Sequence, residues 1–144
     1  MMTGQTMNTA VLGEIELDDE AVLTFPEGLP GFEHYTRFVI LGDERFFPFQ
    51  WLQSVEDANL AFPIIQPHFV CRDYCPRLSK KVMESLQLES PEEAQLFAIT
   101  TIGSSPREVT ANLKAPLVVN PKARLAKQYI LEGTSYSLRH PVLG

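Results

Sequence analysis

"FPEGLPGFEHY", residues Phe25 to Tyr35, sets two prolines and two glycines within six positions, between runs of β-type hydrophobics. Proline holds φ near about −65° and glycine readily takes positive φ, so Pro26, Gly28, Pro30 and Gly31 are expected to make consecutive tight turns. The competing reading is a phosphate cradle, which needs converging backbone N–H groups at a helix start. Two prolines remove two of those donors and no long helix follows. The stretch reads as a rigid elbow between strands.

Outward from the elbow, short runs rich in Val, Ile, Leu, Phe and Thr recur with turn signals between them, the pattern of an all-β chain. Strands are expected at Val11–Leu17, Ala21–Phe25, Arg37–Leu41, Phe49–Gln53, Leu60–Gln66, Gln95–Ile102, Val109–Leu113, Leu117–Asn120, Gln128–Leu131 and Ser135–Arg139. "RFVIL" and "LFAIT" are nearly continuous hydrophobics and should be buried on both faces. Pro63 cannot donate to a ladder, so its strand should be an edge or carry a bulge. One helix is expected in "RLSKKVMESLQL", where Leu78, Val82, Met83 and Leu86 form an apolar stripe behind Pro76. Ser90, Pro91 and Glu93 spell a capping box for a single further turn. The expected fold is mainly β: one compact antiparallel β-barrel-like domain, residues 10–144, with one short helix and a helical turn. The polar tail 1–9 is expected to be disordered.

The 144 residues are 44% hydrophobic and 21% charged, the composition of a globular domain. No apolar run approaches the about 18 residues of a membrane span. "MMTGQTMNTA" has neither a basic n-region nor an apolar h-region, so no signal peptide and a cytoplasmic location are expected. The net charge of −6 is uneven: residues 1–72 hold eleven Asp/Glu against three Lys/Arg, residues 73–144 seven against nine. A mainly acidic chain repels a phosphate backbone, so direct nucleic-acid binding is not expected. A basic protein surface would suit the first half better, although "EIELDDE" (Glu14–Glu20) reads more simply as a solvated turn.

Chemistry is sparse. His68, Cys71 and Cys75 in "HFVCRDYC" supply three zinc-type ligands, but a structural site wants a fourth and no second Cys/His pair exists. Two free thiols are the simpler reading. The chain lacks a G-x-S-x-G elbow, an H-E-x-x-H motif and a Walker lysine. Glu33 and His34 are adjacent but have no nucleophile to serve. Neither an enzyme nor a cofactor is expected. Lys114, Lys122, Arg124 and Lys127, with Tyr129 and Tyr136 nearby, leave one alternative: a β-barrel binding single-stranded RNA or a small ligand directly.

Four motifs occur in order: "FPEGLPGFE" (Phe25–Glu33), "FQWLQSVEDANLAF" (Phe49–Phe62), "TANLKAPLVVN" (Thr110–Asn120) and "QYILEGTSYSLRHP" (Gln128–Pro141). Each alone is a turn or a strand. Together, from about Val11 to Val142, they closely resemble the flagellar assembly factor FliW family. The resemblance implies a non-enzymatic protein with a compact antiparallel β-barrel-like fold, monomeric when free. It implies two partners, flagellin and CsrA, the dimeric RNA-binding repressor of flagellin translation. FliW proteins bound to CsrA block its RNA binding, and accumulating flagellin captures FliW and frees CsrA. The Cys pair of "CRDYC" departs from the family pattern, so no family role passes to it. Thr101, Ile102, Asn112 and Lys114, at the exposed ends of "AITTIG" and "TANLKAP", are the candidate partner contacts. Thr101, Asn112 and Lys114 are poor core choices with no catalytic work to do, although Asn112 could instead satisfy a turn.

Overall fold

Alternation of apolar and polar side chains gives each strand one face for a core, and the ring of strands closes around that core. The computed structural model describes residues 5–142. Its strands are β1 (Gln5–Thr9), β2 (Gly13–Leu17), β3 (Leu23–Thr24), β4 (Arg37–Gly42), β5 (Phe49–Ser54), β6 (Ala61–Ile65), β7 (Gln95–Thr101), β8 (Thr110–Ala111), β9 (Leu117–Asn120), β10 (Leu125–Gln128) and β11 (His140–Pro141), with a single α-helix, α1 (Lys80–Ser85), among the described residues. Seven strands close a barrel in the order β7-β6-β5-β4-β3-β10-β9, with β9 returning to β7. Every barrel pairing is antiparallel except β3 with β10, which meet in parallel at Thr24 and Leu125. Strand β7 divides its far side: Gln95–Phe97 pairs with β9, and Thr100–Thr101 with β8, which carries β11.

Phe25, Phe38, Leu52, Ile64 and Leu117 are fully buried in the barrel. Phe25 and Phe38 meet edge to face at 5.2 Å. Each such side chain contributes about 1.5–3 kcal/mol relative to exposure. Outside the barrel wall, Val82 of α1 and Leu86 at its C-cap pack with Leu88 on Val118. Ile65, Tyr74, Ala98, Ala111 and Leu113 form a third cluster beneath the loop that follows β6.

The mainly β barrel with one short helix agrees with the sequence reading; several boundaries do not. Gln5–Thr9, expected to be disordered, pairs along its whole length with β2; residues 1–4 lie outside the described residues. Ala21–Phe25 shrinks to Leu23–Thr24, because Asp18 caps a 3-10 turn over Asp19–Ala21 by accepting the Glu20 N–H. Val109–Leu113 shrinks to Thr110–Ala111, and the strand expected at Gln128–Leu131 lies instead at Leu125–Gln128, where it registers with β9. Ser135–Arg139 forms no strand; the sheet partner of β8 is His140–Pro141.

The helix is shorter than its apolar stripe because Ser79 is its cap: the Ser79 hydroxyl accepts the Val82 N–H at 3.1 Å, and Gln87 ends the segment at φ 58°. The expected box at Ser90 forms a 3-10 turn over Pro91–Glu93, but Glu93 accepts from the Glu89 N–H and the Ser90 side chain caps nothing. Pro63 lies within β6 opposite Trp51, and β6 pairs with β7 only at Ile64 and Ile65. The ladder begins past the residue that cannot donate. Phe38 and Val39 of "RFVIL" and Phe97 and Ala98 of "LFAIT" are buried, while Ile40, Leu41, Leu96 and Ile99 are half-buried.

Candidate partner-binding surface

The Phe25–Tyr35 segment folds as successive turns. Gly28 N–H donates to Phe25 O (2.8 Å), Phe32 N–H to Leu29 O (2.7 Å) and Tyr35 N–H to Phe32 O (3.1 Å). Gly28 and Gly31 both hold positive φ, at 65° and 86°. The turns drive Leu29 into the barrel core beside Phe25, while Pro26 and Pro30 face solvent. The Glu33 carboxylate accepts the Gly31 N–H at 3.0 Å, and backbone hydrogen bonding from Gly31 lowers its pKa. The elbow plugs the barrel.

At the β7–β8 junction Thr101 pairs with Thr110, and the Asn112 N–H extends the ladder by donating to Ile99 O at 2.9 Å. Strand alternation therefore sets Thr101, Thr110 and Asn112 on one face. Thr101 is exposed and Ile102 is 58% exposed. Asn112 has local work: its Oδ1 accepts the N–H groups of Lys114 (3.1 Å) and Ala115 (3.0 Å), an Asx turn. Lys114, half-buried, follows in that turn, and its carbonyl accepts from Leu131 N–H at 2.8 Å.

A second exposed region lies at the other end of β5. Phe47 and Phe69 meet edge to face at 5.5 Å and are 73% and 51% exposed. They line a cleft of about 530 Å³ with Gly42, Asp43, Glu44 and Phe49. An adjoining opening of about 480 Å³ shares Gln50 and Gln66 with it and runs between Ile40, Gln95 and Phe97. On the rim, Asp43 takes two hydrogen bonds from the Arg45 guanidinium (3.0 and 2.8 Å), and these hold its carboxyl down at about 2.

Two of the four cations of the basic strip that suggested RNA stacking are engaged within the chain. Lys127 Nζ pairs with Glu27 at 2.8 Å and Arg124 donates to Asp19 O at 3.0 Å. Tyr129 packs on the α1 cluster and Tyr136 lies 4.6 Å from Tyr74, centroid to centroid.

The model of the family described as "FliW protein" matches residues 6–142. The chain belongs to the FliW family. It is 39% identical to the flagellar assembly factor FliW of Alkaliphilus metalliredigens, across 95% of this chain and 85% of that protein. It is 43% identical to that of Bdellovibrio bacteriovorus, across 94% and 78%. A crystal structure of the flagellar assembly factor FliW superposes with a TM-score of 0.90 at 34% identity, covering 97% of this chain and 98% of that one. The four motifs that carried the resemblance thus hold the FliW barrel at its elbow, β5–β6, β8–β9 and the segment after β10.

Within this FliW-family chain the Cys loop is built into the fold. Tyr74 is buried, its hydroxyl donates to Leu113 O at 2.7 Å, and burial raises its pKa. The Cys75 N–H donates to the Tyr136 hydroxyl at 3.0 Å, and the His140 ring nitrogen Nε2 lies 3.0 Å from Val70 O. His68 and Cys75 are exposed and Cys71 half-buried. Among the described residues no three His, Cys, Asp or Glu side chains converge as a metal site, so His68, Cys71 and Cys75 do not assemble the ligand set their spacing suggested.

Sequence reasoning passed over Phe47, Phe69 and Glu44. The available signal was the run "FFPF" at Phe46–Phe49, more aromatics than one strand face can bury around a proline.

Proposed function

We propose that this chain is a non-enzymatic flagellar assembly factor that binds flagellin and antagonises CsrA, coupling flagellin synthesis to the cytoplasmic flagellin level. The observation that carries the reading is its likeness to flagellar assembly factors over nearly its whole length, at 39–43% identity. Two surface features support a protein-binding role: the exposed face of Thr101 and Ile102, and the exposed Phe47–Phe69 pair. Thr101, Ile102 and Lys114 are the proposed contacts at the first, with Asn112 shaping the turn that presents them. The surplus of carboxylates in residues 1–72 suits a basic regulator.

Two measurements test this. In a mobility-shift titration at physiological salt, the chain alone leaves flagellin leader RNA unshifted and releases that RNA from CsrA. In calorimetry, CsrA titrated into the chain already saturated with flagellin gives little heat, since reversing occupancy from 1:99 to 99:1 takes about 10⁴ in combined affinity and concentration. RNA shifted by the chain alone would favour the direct-binding alternative, and undiminished CsrA binding would end the exclusive switch.

A further inference from the structure

The β6–β7 ladder stops at Ile65 and Ala98. Pro67 follows within two residues, and the 3-10 turn Pro67–Phe69, which stays beside β7, ends the strand ladder there. Gln95–Phe97 is consequently paired with β9 on one side and, among the described residues, with no strand on the other. This bare edge borders the opening lined by Gln50, Gln66 and Gln95. Among the described residues no hydrogen bond reaches the side-chain amides of these three glutamines. The same turn that exposes the edge sets Phe69 against Phe47 in the adjoining cleft. At its rim Asp43 is neutralised by Arg45, which leaves the exposed Glu44 carboxylate as the unpaired charge among the described residues that line the cleft.

We propose that this groove seats an extended segment of a protein partner by strand addition to β7 at Gln95–Phe97. An unpaired strand edge is a template for another chain. In such complexes main-chain hydrogen bonds supply affinity, and alternate side chains supply specificity. The segment therefore carries an apolar side chain that packs on the exposed Phe47–Phe69 pair, and a basic residue two positions away on the same face, beside Glu44. The glutamine amides, each able to donate and accept, bridge to its backbone. The inference rests on the reading of the chain as a protein-binding factor, and it makes that reading specific: an extended basic-apolar peptide.

The test uses the whole chain, isotope-labelled, and the blocked peptide acetyl-Thr-Phe-Thr-Lys-Thr-amide followed by NMR. The expected result is saturable shifts at the Gln95–Phe97 amides and the Phe47 and Phe69 rings. Backbone N-methylation of the peptide, or the variant Phe47→Ser/Phe69→Ser, should weaken binding about tenfold or more. Both phenylalanines are exposed, so the variant keeps its fold. Absence of shifts at Gln95–Phe97, or shifts indifferent to N-methylation and to the variant, overturns the proposal. In a parallel arm, flagellin and CsrA are titrated against wild type and variant. Wild type binding neither would remove the functional reading while the peptide shifts still decide the groove. Both partners binding the variant as tightly as wild type would overturn the groove as their seat.

Discussion

A Cβ built on Gly28 would stand 2.7 Å from Cα of Glu33 and 2.9 Å from its carbonyl oxygen, backbone atoms on the opposite limb of the elbow. At Gly31 the same construction meets nothing within 4 Å, although φ is positive at both positions. Gly31→Ala should therefore cost about 1 kcal/mol, the price of left-handed backbone alone. Gly28→Ala adds a backbone collision and should cost clearly more, about 2 kcal/mol or above. Urea denaturation of the two variants checks the order, and equal losses would refute the account.

Asn112 and Lys114 separate by chemistry. Asn112→Ala removes the acceptor of two N–H groups and should lower stability by about 1 kcal/mol whatever the chain binds. Asn112→Asp keeps the acceptor and should restore most of it. Lys114→Glu should leave the melting temperature nearly unchanged while weakening partner binding in calorimetry. Intact affinities for both flagellin and CsrA in Lys114→Glu would take this residue out of the contact surface.

The thiols should be dispensable and the tyrosine should not. Cys75→Ser, at an exposed position, is expected within about 0.5 kcal/mol of wild type. Tyr136→Phe strips the Cys75 N–H of its partner and should cost about 1 kcal/mol. Metal analysis adds a separate check: one equivalent of zinc, with melting lowered by a chelator, would reinstate His68, Cys71 and Cys75 as ligands.

Acid should act through three carboxylates. Hydrogen bonding from the Arg45 side chain brings Asp43 from 3.8 to about 2. Glu33 and Glu108 are lowered from 4.5, the first by the Gly31 N–H and the second by the Ser104 hydroxyl. A depressed carboxyl stays ionised in the native state where the unfolded chain has already taken up a proton. Its stabilisation is thus complete above the unfolded values and is lost as pH falls through the native ones. Urea midpoints should drop between about pH 4.5 and 2, and Asp43→Asn should flatten the lower part of that decline. Solvent screens all three groups, so the effect is small.

The ring of strands was legible because "RFVIL", "FQWLQ" and "LFAIT" carry their burial in their composition. Where local propensity and tertiary register compete, register wins. Ala126 and Lys127 have little β preference, yet they pair with Val119 and Val118, and the strand forms there rather than at the more β-like Tyr129–Leu131. "QTMNT" looks like a solvated tail until "GEIEL" is laid against it. At the candidate surface, Asn112 was recognisable as a polar residue out of place, but whether it faced a partner or its own backbone depended on two N–H groups that no pattern reveals. Phe47 and Phe69 lie on opposite sides of β5 and β6 in the chain. Their meeting depends on the turn at Pro67, so their exposure as a pair could not be seen from either residue.

The parallel contact of Thr24 with Leu125 sets when the molecule can exist at all. The two positions are separated by roughly a hundred residues, and closing so long a loop comes late in folding. During synthesis β3 to β7 can assemble as a meander, each strand beside its predecessor, but β3 lacks its second neighbour until the β9–β10 hairpin leaves the ribosome. A chain stalled before Leu125 is an open sheet with bare edges at β3 and β9, free to pair indiscriminately. The barrel, and any surface that depends on its closure, therefore cannot form until β10 has been made.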